Sequence, residues 1–322
     1  MRALVAFVAT VVSLTVGSTE PAVSQAYPSR PITLVVPFAA GGPLDTLARI
    51  LSERLRAELG QSVIVENQPG AGGSTGVGRV VRAAADGYTL CLGNWSTHVI
   101  NASVYNLSYD LTKDLTPVAL LTSNPQLIVG RKSLPAGTLT ELIAWLKDNN
   151  ANLGSAGVGS ASHASGLFLQ QRTGAKLAIA HYQGGGPALR DVLGGHLDLM
   201  FDQVSTSLPY VQDGQLKVFA VTADHRLAIA AEIPTVDEAG LPGFYISVWN
   251  GVWAPTGTPP EIVARLAAAF SRALDDEAVA RRLTALGQQI PDQAKRSAEA
   301  LAALQRAELA KWSPIIGAAK FK

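Results

Sequence analysis

Apolar positions along the chain follow two periods. Short apolar runs bounded by glycine, proline or asparagine occupy residues 32–36, 63–65, 88–92, 118–121, 127–129, 177–180, 197–201 and 218–221. Continuous runs of this length predict buried strands. Between them, Leu44, Leu47, Leu51, Leu55 and Leu59 recur at three- and four-residue spacing. That spacing predicts a helix, with Gly60 as its stop. Residues 260–274 repeat the pattern, with Pro260 at the helix start. Strands alternating with helices predict an α/β protein built on parallel sheets. The last ~60 residues read as nearly all helical, with Trp312 and Ile315 on the apolar face, and 246–254 reads as a strand crossing back between domains.

The N-terminus has a different pattern. Met1 and Arg2 precede an apolar run over 3–16, followed by a polar stretch ending Ser24-Gln25-Ala26. A positive start, a short apolar centre and small residues at −3 and −1 predict a secretory signal peptide over 1–26, cut after Ala26, and a periplasmic protein. The run is shorter than the ~20 residues a membrane span needs, and no later stretch is long enough, so no membrane insertion is expected.

Composition narrows the function. Lys and Arg number 26 against 25 Asp and Glu, a net charge of +1, with no basic block. Nucleic-acid binding is therefore disfavoured. The 322 residues, 48% of them hydrophobic, suit about two domains of ~150 residues. Cys91 is the one cysteine, which excludes an internal disulfide and a multi-cysteine metal site. The five histidines form no H-E-x-x-H or H-x-x-x-H pair. No metal, no cofactor and no catalytic residue is expected.

Three glycine-rich turns carry the candidate chemistry. Each follows a predicted strand and opens a predicted helix: Phe38-Ala39-Ala40-Gly41-Gly42-Pro43, Gly157-Val158-Gly159-Ser160-Ala161-Ser162-His163, and Gly184-Gly185-Gly186-Pro187. The first N–H groups of a helix lack partners and carry the positive end of its dipole. Glycine lets a ligand approach that backbone, so such turns suit an anion. Pro43 and Pro187 are expected at first helical positions. No turn reads as a P-loop or as G-x-G-x-x-G, so a small carboxylate fits better than a nucleotide. A fourth stretch, Pro69 to Gly76, is read as a tight structural connection. Asp202, after an apolar strand, needs either a cation, a ligand ammonium or hydroxyl, or backbone donors.

These turns lie within longer motifs. Tyr27-Pro28-Ser29-Arg30-Pro31-Ile32, Pro37 to Gly42 with Asp45, Val65-Glu66-Asn67-Gln68-Pro69-Gly70, and Asp86-Gly87-Tyr88-Thr89-Leu90 occur in order. They are followed by Gly157-Val158-Gly159-Ser160 with His163, Leu193-Gly194-Gly195-His196-Leu197-Asp198, Pro234 to Pro242, and Trp253-Ala254-Pro255. Over essentially the whole mature chain this resembles the Bug/TctC-type solute receptors of tripartite tricarboxylate transporters.

The resemblance implies a two-lobed α/β periplasmic-binding-protein (Venus flytrap) fold, type II-like, that delivers a small carboxylate to membrane transporter subunits. A receptor feeding a sensor kinase is the alternative output. Residues 27–125 with 248–322 would form domain 1, and 126–247 domain 2, in a monomer. Position by position, Phe38, Ala39, Ala40, Gly41, Gly42 and Asp45 would cradle the ligand from the first domain, joined by Ser96, Thr97 and Asn124. Ser160, Ser162, His163, Tyr182, Gly184 and Gly185 would face them, and Asp202 would sit deep in the cleft. Two departures bear on the ligand. The family has Val-Pro-Tyr-Lys-Gly where this chain has Ala180-His181-Tyr182-Gln183-Gly184, and 223–233 lacks the usual Arg-Ser-Pro. His181 is thus the candidate for tuning specificity. A hydrolase using Ser160 or Ser162 with His163 is the rival, disfavoured because neighbouring helical residues do not face each other.

Overall fold

The computed structural model describes residues 27–318, apart from the side chains of 315, 317 and 318. The expected signal peptide and its cut after Ala26 lie outside the described residues, as does the side chain of Ile315. Among the described residues nine strands form one hydrogen-bonded sheet, eight in a single path and β8 branching from β4: β1 (Ile32–Val36), β2 (Val63–Asn67), β3 (Thr89–Asn94), β4 (Leu115–Arg131), β5 (Ala151–Ser155), β6 (Leu177–His181), β7 (Leu199–Gln203), β8 (Leu216–Val221) and β9 (Ser247–Pro255). The helices are α1 (Pro43–Leu59), α2 (Ser74–Val81), α3 (Asn101–Val104), α4 (Leu139–Asp148), α5 (Ala161–Thr173), α6 (Gly185–Leu193), α7 (Val204–Gln212), α8 (Pro260–Asp275), α9 (Glu277–Ala285) and α10 (Ala298–Ala318).

The sheet divides into two lobes with matching order. One lobe reads β2-β1-β3-β9-β4, and the other reads β6-β5-β7-β4-β8. In each, three parallel strands are followed by antiparallel pairing. β4 belongs to both. Its first part pairs with β9 as far as Pro125↔Ser247, and from Gln126 onward it pairs with β7. The sequence predicts two short strands here, at 118–121 and 127–129; the chain instead runs on as one strand of 17 residues. Pro125, which lacks a backbone N–H, stands where the strand leaves one sheet for the other and so removes no bond from a central ladder.

Thr222 joins the two crossing strands. Its hydroxyl accepts from the Gln126 N–H at 2.9 Å and donates to the Ile246 carbonyl at 2.7 Å. Asn124 of β4 instead reaches helical ends, accepting from the Ser205 N–H in the first turn of α7 at 3.3 Å and donating to the Leu286 carbonyl after α9 at 3.4 Å.

The predicted helix periods are realised as burial. Leu44, Leu47, Leu51, Leu55 and Leu59 of α1 are all buried, against Leu266, Phe270 and Leu274 of α8. Gly60 ends α1 in the left-handed conformation, φ +71°, with its N–H on the Arg56 carbonyl. Each such leucine contributes about 1.5–3 kcal/mol on burial, which holds the start of α1 against the end of β1. Trp95, Trp253 and Trp312 share a core with Leu301, which docks α10 onto the first lobe. Among the described residues, no helix is long and apolar enough to cross a membrane.

Candidate functional site

In each lobe the strand order reverses direction at one point, between β1 and β3 and between β5 and β7. Ligands of open α/β sheets bind beyond the carboxyl ends of strands at such points. Here the two switch points face one another. The residues leaving β1 (Phe38 and Gly42 to Asp45), β3 (Asn94, Ser96), β5 (Ala156, Ser160, Ser162) and β7 (Asp202, Gln203) line one cavity of ≈ 40 Å³, together with Gly185, whereas the expected Ala39, Ala40, Gly41 and His163 are not in its lining. An outer chamber of ≈ 190 Å³ adjoins it at Phe38 and Ala156, and is lined by Gly70 to Gly73, Tyr105, Val158 and His181 to Gln183.

The lobes touch through backbone and through the Tyr105 side chain. The Ala39 N–H donates to the Gln183 carbonyl at 2.9 Å, and Tyr105 Oη donates to the Val158 carbonyl at 2.6 Å. Glycines allow this approach. A Cβ on Gly186 would stand 3.0 Å from the Gly41 carbonyl carbon, and one on Gly72 would stand 2.2 Å from the Val158 carbonyl oxygen. The segments 38–42, 157–162 and 184–186 thus converge, as the anion argument requires.

Three helices begin at the inner cavity. α1 starts at Pro43 after Gly42, and α5 starts after Ser160, whose Oγ accepts from the His163 N–H at 3.3 Å. α6 starts at Gly185 after Gly184. Pro187 therefore occupies the third helical position, not the first as the sequence suggests. The opening amides belong to Gly185 and Gly186, neither of which carries a side chain to shield them.

Asp45 is already engaged. Its carboxylate accepts from the Gly41 N–H, Arg49 Nε and Asn67 Nδ2, each at 3.0 Å. Burial opposes its ionisation, but the bonds from Arg49, Gly41 and Asn67 outweigh burial and hold its carboxyl below the usual range. It fixes the turn ahead of α1. Asp202 is different: burial pushes it up to about 6, against the opposing effect of bonds that include the Thr206 hydroxyl.

The other expected residues divide. Ser96 lines the cavity with its hydroxyl on Asn94 Oδ1 at 2.7 Å, whereas Thr97 is fully buried with its Oγ1 on the Asn94 N–H at 2.9 Å. Asn124 lines neither cavity and instead joins β4 to the start of α7 and the end of α9, as described above. Ser162 Oγ accepts from the Ala156 N–H at 2.9 Å and lies 3.1 Å from Ser160 Oγ.

His163 Nδ1 accepts from the Gly159 N–H at 3.0 Å, and burial, reinforced by His181, brings its pKa down to about 4. Such an imidazole is a weak base at neutral pH. Tyr182 donates to Asp191 and faces the outer chamber, and Gly184 packs on Ala39. His181 stands at the outer chamber with Nδ1 2.7 Å from Ser155 Oγ and its ring edge-on to His163.

Two features escape the sequence reading. The turn Gly70 to Gly73 lines the outer chamber instead of serving only as a connection. Gln203 lines the inner cavity with its Oε1 buried and unpartnered. Only its place directly after Asp202 could have signalled it. Among the described residues, no group of three or more His, Cys, Asp or Glu could hold a metal, and Cys91 is buried.

Comparison with known proteins agrees with this arrangement. A family model described as "Tripartite tricarboxylate transporter family receptor" matches residues 47–321. An Agrobacterium vitis protein encoded in the ttuE–ttuC′ intergenic region is 39% identical over 283 residues, covering 87% of this chain and 82% of its own length. The solved structure of the periplasmic binding protein BugD superposes with a TM-score of 0.89 at 36% identity, over 92% of this chain and 99% of BugD. MatC of Rhodopseudomonas palustris, solved with bound malate, gives 0.86 at 40% identity, over 90% and 100%.

Proposed function

Because the chain belongs to the tripartite tricarboxylate transporter receptor family, we propose that it captures a small carboxylate between its lobes and delivers it to a transporter of that type. The observation that carries this reading is the convergence of three helix N-termini on one cavity whose lining includes no lysine or arginine. Unpaired amides and dipole ends then supply the positive potential for the acid group. MatC, a similar protein, was solved with malate.

The lobes would comprise 27–125 with 248–322, and 126–247, hinged where β4 and β9 cross. A micromolar dissociation constant corresponds to about 8 kcal/mol. A few charge-assisted bonds at ~1.5–3 kcal/mol each supply much of this, and the ligand favours closure by as much as it prefers the closed state. The acid end would sit in the inner cavity, and the remainder of the ligand in the outer chamber past Phe38.

A thermal-shift screen of mono- and dicarboxylates, amino acids, aromatic acids and their neutral amides tests the reading. At least one acid should raise Tm, since a ligand that binds only the folded state stabilises it. Stabilisation by the amides alone would refute the proposal.

A further inference from the structure

We infer that the inner cavity selects acids bearing a hydrogen-bond donor beside the carboxylate, that is 2-hydroxy or 2-amino acids, and that Asp202 and Gln203 read this donor. The inference rests on the carboxylate reading above and narrows it to a substrate class.

The cavity has two kinds of surface. Its walls present donors, the first-turn amides of α1, α5 and α6. Its floor, at the end of β7, presents the Asp202 carboxylate and the Gln203 side-chain amide. Asp202 is 4% exposed and Gln203 is 7% exposed, and both line the cavity. Asp202 Oδ2 takes the Thr206 hydroxyl on the α7 side, while Oδ1 stands 3.6 Å from the position a Cβ on Gly185 would occupy. Gln203 Oε1 has no partner in the protein. A buried acceptor left unpaired costs about 1–3 kcal/mol, and the cost disappears when a ligand brings the donor.

Charge leads to the same class. Around the cavity, α1 contributes Asp45, neutralised by Arg49; α5 contributes Ser162, α6 contributes Gly185 and α7 contributes Thr206. No lysine or arginine lines it. With the Asp202 carboxyl titrating near 6, it is an anion and a pure acceptor at pH 7.5. Any acid brings a second carboxylate near this anion, but a plain alkyl acid offers it no donor and leaves Gln203 Oε1 unpaired, whereas a C2 hydroxyl or ammonium supplies that donor. A hydroxyl or ammonium on C2 lies within two bonds of the ligand carboxyl carbon, so it can reach the floor while the carboxylate meets the helix amides. Sites built to bond a ligand donor strongly reject analogues lacking it.

The test measures dissociation constants at pH 7.5 by calorimetry on the full mature chain. It uses pairs differing only at C2: malate and succinate, lactate and propionate, aspartate and succinate, 2-hydroxyhexanoate and hexanoate. The donor-bearing member should bind at least tenfold more tightly in every pair that binds. Asp202→Asn and Gln203→Leu should each reduce that ratio to about threefold or less. Equal affinity within the pairs overturns the inference while leaving the carboxylate reading intact. Failure of every acid to bind overturns both. The wild-type pairs decide the matter even if a variant does not fold.

Discussion

The backbone N–H of Ala39, at the exit of β1, donates to the carbonyl of Gln183, at the exit of β6, at 2.9 Å. This bond joins the lobes directly above the inner cavity. Closure therefore depends on the main chains of 39–42 and 183–186 meeting without side chains between them.

Gly186→Ala tests that dependence. The added methyl would lie 3.0 Å from the Gly41 carbonyl carbon, 3.1 Å from its oxygen and 3.2 Å from the Ala40 oxygen. All three are backbone atoms that cannot swing aside, so the wedge acts on closure more than on either lobe. Ligand affinity should fall at least tenfold, about 1.4 kcal/mol, while Tm without ligand changes by no more than about 3 °C. Unchanged affinity by calorimetry would show that the lobes need not approach this closely.

Asp202→Asn should stabilise the ligand-free protein. Burial raises this carboxyl from 3.8 to about 6, so the folded state holds its proton to higher pH than the unfolded chain. The cost of ionising it appears above pH 3.8 and is fully present above about 6. At pH 7 this is on the order of 2–3 kcal/mol, and a neutral amide of the same shape avoids it. Tm at pH 7 should rise by several degrees and the gain should vanish near pH 4. A fall in Tm at pH 7 would mean that the Asp202 charge is stabilised in the fold.

Acid should weaken the fold between pH 6.5 and 4. Burial depresses the His98 pKa to about 3 and the His163 pKa to about 4, and lowers that of His181. In this window the unfolded chain binds protons at histidines that stay neutral in the fold, so stability present above 6.5 is lost as pH falls. Asp202 acts in the opposite sense over 3.8–6, but as one group against at least two. Thermal unfolding should show Tm falling from pH 6.5 to 4, and His163→Gln should flatten the curve. A Tm that rises over this interval would contradict the neutral assignment.

Much of this was legible in the sequence, for physical reasons. The leucine period of α1 and the runs of β1, β3 and β7 report burial directly, and the turns after β1, β5 and β6 stand out by glycine. Asp202 was conspicuous because an acid after an apolar strand requires explanation. Partners distant in sequence were not legible. Gly70 to Gly73 joins the site only because Tyr105 and Val158 come to meet it, and neither residue signals this. Gln203 is an ordinary polar residue until the fold buries it. Ser123 to Gln126 reads as a break between two strands, since only tertiary pairing with β9 and then β7 shows that β4 continues through Pro125. The Asn67 contact that immobilises Asp45 was invisible for the same reason.

His181 should govern the far end of the ligand. Its Nδ1 is committed to Ser155, a fully buried hydroxyl, at 2.7 Å. That bond leaves Nε2 as the ring nitrogen available to a partner, on a residue lining the outer chamber. Neither Lys nor Arg lines that chamber, so this imidazole is its one basic side chain. His181→Asn keeps a polar atom near the Nδ1 position for Ser155 and removes Nε2. One lost hydrogen bond of ~0.5–1.5 kcal/mol corresponds to about a three- to tenfold change in affinity. That change should appear for ligands with a polar second end, such as dicarboxylates, and not for short monocarboxylates confined to the inner cavity. Comparing both classes by calorimetry separates a reader of the ligand's far end from a merely structural histidine. Equal losses for the two classes would assign His181 to the frame of the second lobe.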